Sequence, residues 1–199
     1  VIIEHFKSLF NKASSLSDQD YNLIKNLFPK LNYETIEELN KPFNVKEIDN
    51  SIKTLSTKKN VTPGLDGLST DFYLKFKATL SYHLSFLFNN IIFNDIAPES
   101  FFSSYFIVIP KKTDGDTITN VSDVRPISLI NNDIKILMKT INDRLLSIPD
   151  LISKNQFCLP GRNIQENVFN VINLIEAKKH CLLFLDFEKA FESVYFCYS

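Results

Sequence analysis

The stretch "CLLFLDFEKAFESV", residues 181–194, decides how this chain is read. Cys181 to Leu185 form an unbroken apolar run, the pattern of a strand covered on both faces, and the run delivers Asp186 at its end. A strand is rigid and its end opens to solvent, so a carboxylate there either caps the following turn or takes part in chemistry. Glu188 and Glu192 make the neighbourhood acidic. Closely placed carboxylates repel unless a cation sits among them, and hard oxygen ligands suit Mg²⁺. A single strand-end aspartate is an incomplete metal site, because two-metal phosphoryl or nucleotidyl transfer needs several carboxylates around ions about 3.5–4 Å apart.

Working back from that strand, Asn163 with Glu166 has capping-box spacing for a helix carrying Val168, Ile172 and Ile175. Pro160-Gly161-Arg162 before it reads as a turn. Asp133 can cap a helix carrying Ile134, Leu137, Met138, Ile141 and Leu145. Tyr105 to Ile109 is a short aromatic and β-branched run, hence a strand, and Arg125 to Leu129 resumes extended structure because the residue before Pro126 is pushed out of the helical region. Phe72, Phe76, Leu80, Leu84, Leu87 and Ile91 recur every three or four residues and predict one long or two abutting helices, ended by Pro98. Thr62 to Gly67 holds two of the chain's four glycines and predicts a defined loop. Asn44 and Glu47 make a capping box for a helix over roughly 45–57. Residues 1–43, interrupted by Pro29 and Pro42, read as a loosely organised lead-in. The order of helices, strand pair, helices and central strand predicts an α/β or α+β chain.

Composition narrows the function. With 199 residues and 44% hydrophobic content the chain can bury a sizeable core. A net charge of −1 leaves no global footprint for nucleic acid, so any such contact must be local. Three cysteines without C-x-x-C spacing argue against a disulfide framework or a structural zinc site and fit an intracellular compartment, nucleus and cytoplasm both open. No apolar run is long enough for a membrane span. The motifs of P-loop, dinucleotide-binding, α/β-hydrolase and H-E-x-x-H chemistry are absent, and three scattered histidines leave little room for histidine-based catalysis. Lys111, Lys112 and Arg125 flank a polar loop between the two extended runs. They could grip a polyphosphate, Arg by its fork and Lys as a point charge, or be solvated loop charges.

Five stretches in order, "TPGLDGLSTDFYLKF", "IVIPKK", "RPISLINNDIKILMKTINDRL", "NQFCLPGRNIQENV" and "LLFLDFEKAFESV", resemble the reverse transcriptase of LINE-type non-LTR retrotransposons. The similarity runs from about Leu39 to Val194; each motif is modest alone, and the ordered set is specific. The resemblance implies a right-hand polymerase fold, with residues 44–180 as fingers and 181–199 as the start of the palm. It implies that Asp186 is the first catalytic, Mg²⁺-binding aspartate, and that the backbone carbonyl of Phe187 joins the metal shell. By the same resemblance Phe191 lies under the nucleotide sugar, where it disfavours a 2′-hydroxyl. Lys111 and Arg125 match fingers positions that contact the incoming triphosphate, while Gln156 and Arg162 match a motif near template and phosphate.

Two local departures stand out: Glu192 replaces the family's usual Asp, and "QFCLPGR" is one residue shorter than usual. The paired-aspartate motif and the thumb of the family fall beyond position 199. The partners implied are an RNA template, a DNA primer and deoxynucleoside triphosphates, with the remaining palm and thumb needed for a complete fold and no membrane. These 199 residues are therefore expected to be inactive alone. The competing reading is a non-catalytic RNA-binding or protein-interaction module derived from the fingers.

Overall fold

The computed structural model describes residues 31–57, 61–111, 123–148 and 163–177, together with Glu4 and Leu183. The chain divides into two compact units, Leu31–Ile148 on the one hand and Val1–Lys30 with Pro149–Ser199 on the other. Among the described residues the architecture is helical with one small antiparallel sheet, an α+β arrangement.

The first unit begins with a short helix, α1 (Tyr33–Leu39), capped by Asn32, whose side chain accepts the Thr35 N–H at 2.8 Å. It fits between Pro29 and Pro42, in a region the sequence presents only as a lead-in. Next comes α2 (Val45–Ser56), which starts where the capping box requires. The Asn44 side chain accepts the Glu47 N–H at 3.0 Å, and Glu47 accepts the Asn44 N–H at 2.8 Å. The two abutting helices are α3 (Thr70–Lys75) and α4 (Lys77–Asn94), joined at Phe76 with φ −100° and ψ 17°. Pro98 does not end them. Helix α4 stops at Asp95, which takes a left-handed conformation (φ 54°) and returns its N–H to the Asn90 carbonyl. A single 3₁₀ turn, Glu99–Phe102, follows Pro98.

Strand β1 (Tyr105–Pro110) pairs antiparallel with β2 (Val124–Leu129). Helix α5 (Asn132–Leu146) begins directly after it. Its N-cap is Asn131, not the Asp133 that the spacing suggests; Asp133 lies inside the first turn and accepts the Ile134 N–H at 2.7 Å. Met138, on the same spacing as the core residues, is 56% exposed. In the other unit α6 (Ile164–Glu176) is capped by Asn163, but through the Gln165 N–H at 3.1 Å, so the predicted capping box with Glu166 gives way to a tighter turn. The strand over 181–185 and the turn at 160–162 lie outside the described residues.

The core of Leu31–Ile148 is built by Phe43, Ile48, Ile52, Tyr73, Leu84, Phe88, Ile136 and Leu137, drawn from the α2 N-terminus, α2, α3, α4 and α5. Within it the hydroxyls of Ser51 and Thr140 bond to each other at 2.9 Å, which lets α2 and α5 approach closely without leaving a buried polar group unpaired. Arg144 locks one end of this core. Its guanidinium makes a two-pronged bond to Glu47 (2.6 and 2.9 Å) and donates to the carbonyls of Leu39 (3.1 Å), Pro42 (3.0 Å) and Lys41. It also lies 4.2 Å from the Phe43 ring centroid. One side chain thus ties the segment entering α2 to the end of α5. Burial pushes the Glu47 carboxyl up, but hydrogen bonds from Arg144 and from the Asn44 backbone outweigh that and hold it below the ordinary glutamate value.

Candidate functional site

The β1–β2 hairpin carries the two described residues among those expected to contact nucleotide. Cross-strand partners run from Tyr105 with Leu129 to Pro110 with Val124, and Ile109 stands opposite Arg125. The ladder continues one step past the strands, where the Lys111 N–H donates to the Asp123 carbonyl at 2.8 Å. That bond sets the alternation of the whole ladder. Lys111/Asp123 and Ile109/Arg125 fall on hydrogen-bonded pairs, so Pro110 and Pro126 fall on non-bonded pairs, where a missing N–H costs the ladder nothing. Two prolines inside a strand pair are thereby accommodated.

The same alternation sorts side chains by face. Tyr105, Ile107, Ile109, Arg125, Ile127 and Leu129 share one face, and Lys111 extends it by one register step, diagonal to Arg125. Diagonal neighbours on an antiparallel pair lie about 7–8 Å apart, within reach of two long cationic side chains converging on one polyphosphate. Both residues are exposed. Val124, on the opposite face, is 4% exposed and anchors the hairpin.

What holds the far end of β2 in place is a contact the sequence did not reveal. The loop 61–68 lies against the start of α5, immediately after β2 ends. A Cβ at Gly64 would come 2.5 Å from the Asn131 backbone nitrogen and 2.6 Å from its Cα, so only glycine allows this approach. Asp66 donates its N–H to the Asn131 side chain at 3.3 Å, Asn132 donates to the Leu68 carbonyl at 2.6 Å, and Lys135 donates to the Thr62 carbonyl at 3.2 Å. The loop closes on itself through Gly67 N–H to the Gly64 carbonyl at 3.2 Å, and Gly67 takes φ +68°. The signal for the loop was legible in Pro63-Gly64 and Asp66-Gly67. Its partner, Asn131-Asn132, is about 65 residues further along the chain, and local sequence patterns do not reach that far.

This junction is also the electrostatically unusual part of the described chain. Burial pushes the Tyr73 hydroxyl well above its ordinary value, with the Asp133 and Asp66 carboxylates adding to it. Burial likewise raises the Asp133 carboxyl, and the Asp66 carboxylate raises it further against the Ile134 N–H bond. Lys135 is lowered by burial, opposed by Asp66. The described residues include no group of three His, Cys, Asp or Glu placed to hold a metal. The expected Mg²⁺ ligands, Asp186 and the Phe187 carbonyl, lie outside the described residues, as do Phe191, Gln156, Arg162 and Lys112. Among the described residues no helix is long and apolar enough to cross a membrane.

Comparison with known proteins agrees with the ordered motifs. Residues 109–197 match the model of the reverse transcriptase (RNA-dependent DNA polymerase) family. The transposon TX1 uncharacterized 149 kDa protein of Xenopus laevis is 32% identical over 165 residues, which is 79% of this chain and 12% of that protein. The RNA-directed DNA polymerase from mobile element jockey of Drosophila melanogaster is 31% identical over 163 residues, 76% of this chain and 17% of that protein. The chain thus spans less than a fifth of either relative. The matched region starts at Ile109, opposite Arg125, and runs past Asp186. The chain belongs to the reverse transcriptase family, in its branch from non-LTR retrotransposons.

Proposed function

We propose that this chain supplies the incoming-nucleotide side of an RNA-templated DNA polymerase site, with 44–180 acting as fingers, 181–199 opening the palm and 1–43 leading in. The observation that carries the reading is the hairpin register, which sets Lys111 and Arg125 as diagonal neighbours on one exposed face within the region matched to the family. In this reading Arg125 grips the triphosphate with a forked pair of bonds and Lys111 adds a point charge. Phe191 sits under the sugar, and Gln156 and Arg162 face template and phosphate. Asp186 and the Phe187 carbonyl are hard oxygen donors of the kind Mg²⁺ takes, and a bound ion would supply charge neutralisation for the transferring phosphoryl group. The chain's own cations then stabilise the charge that develops when a primer 3′-hydroxyl attacks the α-phosphate and pyrophosphate leaves.

In this reading Asp186 is the one carboxylate assigned to a site that needs several, so a polypeptide of these 199 residues is expected not to extend a primer by itself. Equilibrium binding of a deoxynucleoside triphosphate to the chain, followed by fluorescence anisotropy, tests the nucleotide role. Arg125→Ala is expected to weaken binding by about 1.5–3 kcal/mol, roughly 10- to 100-fold, and Lys111→Ala by somewhat less. Equal affinity in both variants would refute the assignment. If both variants instead lose salt-sensitive affinity for RNA while nucleotide binding is untouched, the RNA-binding module is the better reading. Primer extension on an RNA template by the 199 residues alone would overturn the inactivity.

A further inference from the structure

The two buried asparagines where β2 passes into α5 both serve the loop 61–68 rather than their own helix. Asn131, 3% exposed, occupies the N-cap position of α5, yet its side chain makes no capping bond there. It accepts the Asp66 N–H at 3.3 Å instead. The Ile134 N–H, an ordinary partner for an N-cap side chain, is taken by Asp133 at 2.7 Å. Capping has thus passed to Asp133, and Asn131 is left to hold a loop 65 residues away in the chain. Asn132, fully buried, donates to the Leu68 carbonyl at 2.6 Å, while its Oδ1 has no hydrogen bond among the described residues. A forgone cap and an orphaned acceptor both lower stability, and local sacrifices of this kind concentrate where function demands a fixed geometry.

The geometry fixed at this corner is the direction of the hairpin. Among the described elements β1 and β2 pack chiefly on each other. Strand β1 is entered through exposed Ser103 and Ser104, whereas β2 runs through Ile130 straight into Asn131. Val124 is buried at the other end of β2, but apolar burial is non-directional. The hydrogen bonds at the corner are directional. Arg125 stands four residues before the end of β2, about 13 Å along the strand, so a tilt of about 5° at the corner moves it by about 1 Å. Ligand-binding constellations tolerate only about 0.5 Å of such error.

We propose that Asn131 is a positioning residue for Arg125, its side chain tying the end of β2 to the loop 61–68 and so aiming the hairpin face that carries the arginine. This rests on the nucleotide role assigned to Arg125 above. In that role the nucleotide is met by more than the hairpin, so a hairpin that sways must be ordered as the nucleotide binds, and affinity falls.

Asn131→Ser separates aim from stability. Serine is a good N-cap, so α5 keeps a local cap, but its hydroxyl is one bond shorter than the amide oxygen, whose bond to Asp66 is already 3.3 Å. In urea unfolding of the 199-residue chain, the Asn131→Ser midpoint should stay close to the parent's. Fluorescence anisotropy with a labelled deoxynucleoside triphosphate should show affinity about three- to tenfold weaker, and the same substitution added to Arg125→Ala should bring no further loss, because its effect passes through that arginine. Hydrogen exchange of the β2 amides should be faster in Asn131→Ser than in the parent. A collapsed midpoint, an unchanged affinity, unchanged exchange in β2, or an equal loss with and without Arg125 would each overturn the proposal. Arg125→Ala binding as tightly as the parent would instead sink the nucleotide role, and the proposal with it.

Discussion

Two arginines in the same unit are used in opposite ways. Arg144 is committed to structure, with its side chain 15% exposed, five hydrogen bonds and an aromatic ring beneath it. Arg125 stands on an exposed hairpin face and, among the described residues, forms no ion pair. Both occur in the one stretch that runs from "RPISL" to "INDRL", so residue type alone does not separate them. What separates them is the supply of acceptors. Arg144 projects from α5 into a ring of carbonyls left over where the chain enters α2. Arg125 projects from the exposed face of a two-stranded ladder, where no carboxylate among the described residues pairs with it. A cation surrounded by its own chain's acceptors is a structural pin, and one held out on a rigid ladder has its donors left for a ligand.

Removing each arginine should therefore give opposite phenotypes, and Arg144→Ala is the largest effect expected in this molecule. It leaves Glu47 charged and partly buried and strands three carbonyls, a loss of about 3–5 kcal/mol against a typical total of about 5–15. Urea unfolding should show a greatly lowered midpoint, and Arg144→Lys should recover little, because an ammonium cannot reproduce the fork. Arg125→Ala should leave the midpoint within about 0.5 kcal/mol of the parent while weakening nucleotide binding. Equal destabilisation by both variants would erase the distinction.

How much of this could be read from the sequence follows the range of the forces involved. The α2 capping box was legible because Asn44 and Glu47 are three residues apart, and the strand pair was legible because proline and β-branched residues act on their own backbone. The end of α4 was misplaced at Pro98 because a left-handed Asp95 is a choice few sequences announce. Asn131 displaced Asp133 as the cap of α5 because Gly64, far away in the chain, packs against it. Arg144 drew no notice because its partners lie about a hundred residues earlier. The nucleotide-contact assignment of Lys111 and Arg125 came from family resemblance; it is the hairpin register that gives them a common face.

Gly64 offers a smaller break in the same comparison. Adding a methyl group there forces the Asn131 backbone away, which should cost about 1–3 kcal/mol by overpacking. Asn131 sits two residues beyond the end of β2, so the displacement is passed to the strand that carries Arg125. Gly64→Ala should thus lower the unfolding midpoint and weaken nucleotide binding together, although Gly64 meets no ligand in the proposed site. Gly67→Ala makes a useful control, since no atom lies within 4 Å of its added Cβ and only the φ of +68° opposes it.

The smallest effects are those of pH, and they oppose each other at the two ends of α5. Glu47, beside Arg144, has its folded-state pKa held below the unfolded value, so its contribution is complete above about 4.3 and is lost as pH falls through the lower folded value. Asp133, at the N-terminal turn, has its folded-state pKa raised. The folded chain then binds the Asp133 proton more tightly than the unfolded chain, so this residue favours folding in acid and opposes it as pH rises through its folded value. Asp133→Asn removes that opposition while keeping an oxygen to accept the Ile134 N–H. It should raise the unfolding midpoint at pH 7, by up to about 0.5 kcal/mol, and lose that advantage near pH 3. Glu47→Gln should do the reverse, costing stability at pH 7 and little near pH 3. Parallel pH profiles for the two variants would mean that burial at the β2–α5 corner does not hold the Asp133 proton.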